Sequence, residues 1–266
     1  MKNLWQYNYS YEELYHYGVK GMKWGIRKKR YKSSYDSDTV LKKGTTIQNI
    51  SANKKRDLDK GPVYGATTKR DKLQYASMYA EQLKDIQDAK NIYINDLKVV
   101  KDIKIPSQKK AVEMFKETFV KDSDGMARCI ARCKADMSLF GKMGKIVKMD
   151  TESRVYRQYM NKGEEWLETK GYEYFNQSIT NNKSVKARNA YFDTLLSKGY
   201  GGVLDVNDIN NSYNSEAPVI VIDPKNSLKE GTTKKLSQKE IGLSMMKYAE
   251  LYEPNLMSYA EACLED

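Results

Sequence analysis

A chain of 266 residues, 40% hydrophobic and 30% charged, has room for one large domain or two small ones. Its mean hydropathy of -0.77 is polar, yet 21 Tyr and 12 Met supply core volume and apolar periodicity recurs, so disorder is excluded as the default. A net charge of +11 favours polyanionic partners, whereas three cysteines and one histidine argue against a disulfide framework and against histidine acid–base chemistry.

The first stretch, to about residue 35, is aromatic and basic, with glycines at 18, 21 and 25 and weak periodicity. From His16 to Lys32 it holds Lys20, Lys23, Arg27, Lys28, Lys29, Arg30 and Lys32 and no acidic residue. Ser33, Ser34, Asp36, Ser37 and Asp38 then read as a short polar linker. This divides the chain into an arm and linker over 1–38 and a single α+β domain over 39–266 that ends in a helix. No apolar leader core opens the chain and no apolar run reaches transmembrane length, so no membrane span is expected.

Within the domain, Gly44 precedes a β-rich run over 45–51, and residues 61–68 enter a second strand through a Gly-Pro turn. A helix is predicted over 69–90, where Leu73, Ala76, Ala80, Leu83 and Ile86 recur at three- and four-residue steps. Ile92 and Ile94 mark a strand, Pro106 closes the connection, and Ser107 caps a helix with Ala111, Met114, Phe115 and Phe119 inside. Residues 124–140 repeat that logic with Met126, Cys129, Ile130, Cys133 and Met137, and helices are also predicted over 151–168 and 184–197. Cys129 and Cys133 share a helix face, but no partner ligands follow; they read as buried free thiols and no metal site is expected. Two buried strands follow over 201–206 and 217–223, and Ser237 with Glu240 forms a capping box for a helix reaching about Tyr252. Strands near both ends with helices between them give an α+β class with a mixed or mainly antiparallel sheet.

The most distinctive string runs from Tyr15 to Arg30. Glycines permit close approach to a partner, Trp24 offers a stacking or plugging anchor, and cations stand at nearly every other step. From His16 through Lys20, Lys23, Trp24 and Arg27 it resembles the H-G-[VI]-K-G-M-K-W-G-[VI]-R element of structural and head-morphogenesis proteins of tailed phages. Tyr17 stands where a second histidine is common. The resemblance implies a phage origin, synthesis in the host bacterial cytoplasm, and a place in the virion as a structural component or packaged cargo. The arm, through His16, Lys20, Lys23, Trp24, Arg27, Lys28, Lys29 and Arg30, would dock on capsid, portal or other virion proteins, or on packaged DNA.

The body resembles domains with an ADP-ribosyltransferase-like fold. Residues 41–51 match a first strand that faces the dinucleotide, Ala66, Thr67 and Thr68 fall where the arginine-specific branch has Ser-Thr-Ser, and Glu216 precedes a buried strand where the family keeps its catalytic glutamate. The resemblance implies NAD as cofactor, Glu216 as the catalytic carboxylate, and Gln48, Thr67 and Thr68 as cofactor-binding residues. A carboxylate near the ribose orients its hydroxyl and stabilises an oxocarbenium-like state. The sequence departs from the family's pattern on the first strand, which carries Ile47, Gln48, Asn49 and Ile50 in place of an arginine or histidine. It departs again at Asn214, two residues before Glu216, where an acid or glutamine is expected.

Plain structural readings stand beside these: a loop carboxylate at Glu216, β-forming threonines at 67 and 68, and a strand-ending turn at Asp205 and Asp208. Lys69, Arg70 and Lys72 open a helix against its dipole, which hints at an anion nearby. No Walker loop, GxGxxG, zinc spacing or Ser/His/Asp set is present. The expected function is a virion-associated protein docked by its arm. The alternatives are an active mono-ADP-ribosyltransferase against host targets and a DNA-binding protein with a steep salt dependence.

Overall fold

The predicted strand at 45–51 forms over six residues and anchors one of the two three-stranded antiparallel sheets among the described residues. A computed structural model describes residues 37–265 apart from 88, 120–126, 132–153, 155, 181–184, 210–212 and 214. The described strands are β1 (Thr39–Leu41), β2 (Thr46–Ser51), β3 (Val63–Gly65), β4 (Ile92–Val99), β5 (Ile103–Ile105), β6 (Gly202–Leu204), β7 (Val219–Val221) and β8 (Leu228–Leu236). Sheet order is β2-β4-β8 in one sheet and β3-β7-β6 in the other, with β1 and β5 forming a two-stranded ribbon. Every pair is antiparallel, so the class is α+β as the sequence indicates.

The two three-stranded sheets meet at a corner. Gln48 and Ala66 exchange two backbone hydrogen bonds of 2.9 Å, joining β2 to the end of β3. Gly65 makes this approach possible: a Cβ there would lie 2.5 Å from Ile47 Cγ2 and 2.8 Å from the Gln48 carbonyl oxygen. Alternation then sends Ile47, Leu97 and Val99 inward against Val63, Val219 and Val221, filling the space between the sheets.

Helices cover the outer faces. On one side α1 (Lys69–Gln74) continues through a π-helical turn at Tyr75–Tyr79 into α2 (Ala80–Gln87), and Ala76, Ala80 and Leu83 pack on Ile50 and Ile92. The other side holds α3 (Gln108–Phe119), α4 (Tyr172–Thr180) and α5 (Val185–Ser197), whose Phe115, Phe175, Tyr191 and Leu195 cluster with Val203 and Ile220. Finally α6 (Gln238–Tyr252) packs against α1, the π turn and α7 (Met257–Glu265). Its capping box forms as predicted: Ser237 accepts from the Glu240 amide while the Glu240 side chain accepts from the Ser237 amide at 2.8 Å.

Five of the elements named above were not predicted, and the reasons are physical. Positions 229–235 of β8 are all exposed and polar, so no alternation marks that edge strand. The three-residue β1 and β5 are too short for a period, and α4 is rich in tyrosine and phenylalanine, which also suit strands. Nothing in the tail beyond Pro254 pointed to α7. The single helix predicted over 151–168 is interrupted at Gly163, whose φ of 82° takes the chain out of the right-handed helical region. Most of the predicted helix at 124–140 lies outside the described residues; 127–131 within it are helical. Asp38, read as linker, is an anchor: it accepts from the Ser107 amide at 3.0 Å, Lys110 Nζ at 2.8 Å and the Tyr200 hydroxyl at 2.8 Å.

Candidate functional site

The predicted residues on the body gather where α1 begins. Thr68 caps that helix, its hydroxyl accepting from the Asp71 amide at 3.1 Å. Thr67, one residue earlier, donates from Oγ1 to the Ala217 carbonyl at 3.4 Å. Gln48 lies half-buried at the sheet corner and donates from Nε2 to the Lys72 carbonyl of α1 at 3.2 Å. Glu216 is half-buried just before β7, and its amide donates to Asp71 Oδ1 at 2.7 Å. The structure thus brings Gln48, Thr67, Thr68 and Glu216 to one seam between the first helix and the segment 205–217.

That seam is built mainly by residues that sequence reasoning passed over. Asp71, Gln74 and Tyr75 occupy one face of the helix at i, i+3 and i+4. The Asp71 carboxylate, fully buried, takes both the Glu216 amide and the Ala217 amide, the latter at 2.8 Å. Gln74 donates to the Tyr213 carbonyl and, at 3.0 Å, to the Tyr248 hydroxyl, while its Oε1 accepts from Ser215 Oγ at 3.0 Å. The Tyr75 hydroxyl donates to Asp208 Oδ2 at 2.5 Å. The clue lay in "DKLQY" (71–75): polar residues of α1 facing the same way on a helix that also carries an apolar stripe. Tyr75, Tyr79 and Tyr213 pack edge to face with one another at centroid separations of 5.6–6.2 Å, closing the far end of the seam.

Burial sets the electrostatics. It raises the Asp71 carboxyl above its ordinary value, against the pull of the two amides that hydrogen-bond to it. It pushes Asp208 up to about 6 and raises Asp205 well above the carboxylate range, the charge of Asp208 adding to the latter. Asp205 also accepts from the Asp208 amide at 3.2 Å, the strand-ending turn anticipated for this pair. Among the described residues no group of three or more side chains is placed to hold a metal ion.

The anion hinted at beside Lys69, Arg70 and Lys72 has a structural counterpart. Arg70 is buried and reaches the Tyr248 hydroxyl and Glu253 Oε1, both at 3.4 Å, with its guanidinium 5.7 Å from the Tyr252 ring centre. It ties the start of α1 to the end of α6. Cys129 is half-buried rather than buried, while Cys133 and Asn214 lie outside the described residues. The docking residues His16, Lys20, Lys23, Trp24, Arg27, Lys28, Lys29 and Arg30 lie outside them as well.

Residues 8–31, the span that includes all of those docking positions, are similar to a family of unknown function, DUF7211. No curated protein and no solved structure matches the chain. No helix of the described residues is long and apolar enough to cross a membrane.

Proposed function

We propose that this is a phage-encoded, virion-associated protein whose basic arm docks on the particle and whose body is an ADP-ribosyltransferase-type domain using NAD against host targets. The observation carrying the second half is the convergence of Glu216, Thr67, Thr68 and Gln48 on one seam, from three separate stretches of chain. In this reading Glu216 orients a ribose hydroxyl and stabilises positive charge as the nicotinamide–ribose bond breaks. Nicotinamide leaves with the bonding pair, and a nucleophile of the target takes its place on the ribose carbon. The hydroxyl of Thr68 is committed to the helix cap and that of Thr67 to Ala217, so both shape the site rather than grip the dinucleotide. Gln48 stands where the family has a cation for phosphate, and its amide is held by Lys72.

A non-catalytic virion component is the second reading, favoured by that missing first-strand cation. Nicotinamide release from NAD by full-length protein separates the two. The transferase reading expects turnover that falls at least about a hundredfold in Glu216→Ala. Equally flat traces for wild type and variant would leave only the structural role. Peptide mass spectrometry of gradient-purified particles tests the docking half: stoichiometric presence supports it, and absence from particles alongside abundance in infected cells rejects it.

A further inference from the structure

We propose that Asp71 is the positioning residue for Glu216, fixing the direction of its side chain by holding the peptide groups on both sides of its α-carbon. The role rests on Glu216 being the reacting carboxylate. The two oxygens of Asp71 accept from consecutive amides, Glu216 at 2.7 Å and Ala217 at 2.8 Å. One amide belongs to the peptide group before the Glu216 α-carbon and the other to the group after it. With both groups oriented, φ and ψ of Glu216 are set, and so is the line along which its side chain leaves the backbone.

The neighbouring units are held too. Ser215 is tied through its hydroxyl to Gln74 at 3.0 Å, and the Ala217 carbonyl accepts from Thr67 at 3.4 Å. Asp71 itself cannot wander, because its own amide is bonded to the Thr68 cap and its side chain is fully buried. Bonds to an ionised acceptor are the short, strong kind, and separations of 2.7 and 2.8 Å are of that kind. Half-buried Glu216 therefore projects from a backbone held on both sides of its α-carbon.

Two variants of the full chain cut the clamp from opposite sides. Asp71→Asn keeps the shape but turns an N–H group toward a donor. Ala217→Pro removes one of the two donors while keeping the carbonyl that accepts from Thr67. Nicotinamide release should show kcat lowered about tenfold to a hundredfold in each, with KM for NAD changed less than about twofold. Ser237→Ala, which removes the cap of α6 away from this seam, supplies a destabilised control whose kcat stays at the wild-type level.

A folded Asp71→Asn protein with wild-type kcat overturns the clamp alone, as does a kcat loss that Ser237→Ala reproduces at the same loss of melting temperature. If Asp71→Asn does not fold, the Ala217→Pro result decides in the same way. A wild-type chain that releases no nicotinamide overturns the reading of Glu216 and this role together, so the two failures are told apart.

Discussion

The aromatic cluster under α3, α4 and α5 and the polar seam under α1 are both buried, yet they are built on opposite terms. In the cluster Phe115 lies 4.7 Å from Phe175 and Phe175 lies 5.2 Å from Tyr191, centre to centre. Two of its hydroxyls pair internally: that of Tyr191 donates to the Ala111 carbonyl at 3.0 Å and accepts from Tyr172 at 3.0 Å. The seam instead holds one chain segment to one helix through directional bonds from Asp71, Gln74 and Tyr75. Apolar packing is non-directional and scales with area, so it supplies stability; directional bonds to buried acceptors set positions to fractions of an ångström. The difference teaches where stability and geometry reside, and it can be broken region by region.

The largest effect belongs to the cluster. Phe115→Ala removes a fully buried ring that touches Phe119, Tyr172, Phe175 and Tyr191. It should cost about 3–5 kcal/mol, read by urea unfolding. Any NAD turnover per folded molecule should be unchanged. A kcat that fell in step with stability would dissolve the contrast between the two regions. Gln74→Leu comes next, because it strips partners from Ser215, Tyr213 and Tyr248 together. It should cost about 2–3 kcal/mol by the same measurement. Here turnover per folded molecule should fall as well, since the segment bearing Glu216 loses its bonds to Gln74.

The elements that sequence made legible are those whose apolar period is long or whose signals lie within a few residues of one another. The capping box at Ser237 and Glu240, the helix beginning at Lys69 and the strands around Ile94 and Ile220 are of this kind. Edge strand β8 was not legible, because a solvated strand has no buried face to write into its sequence. The site divides the same way. Glu216 and the Thr67–Thr68 pair were singled out by their places in the resemblance to the transferase family. Asp71 was not, because a single acid in a helix's first turn is commonplace, and its value depends on a contact 145 residues away. Ser215, Tyr213 and Tyr248 were illegible for the same reason: each acquires its role only when the 205–217 segment and α6 close on α1.

The smallest expected effect is the most diagnostic, because protons act on the two kinds of anchor with opposite sign. In the seam, burial raises Asp71, Asp205 and Asp208, the last to about 6. A carboxyl that is raised in the folded state binds its proton more tightly there than in the unfolded chain. Folding stability therefore rises as pH falls through 6 and is lost again as pH returns upward. Asp208 should therefore raise the melting temperature between pH 7 and pH 5. At the root of the arm, Asp38 is instead held down to about 2 by Lys110 and the Ser107 amide, and Glu240 is lowered to about 2 by Lys234 and Ser237. Those contributions are present above the ordinary carboxylate range and disappear only as pH falls toward 2. Melting temperature should accordingly climb from pH 7 to 5 and fall steeply below about 3. Asp208→Asn should flatten the climb and leave the acid fall untouched, whereas Asp38→Asn should reduce the acid fall and leave the climb. A climb that survives Asp208→Asn would mean that Asp71 and Asp205 carry it, moving the titrating centre of the seam onto the clamp at Glu216 itself.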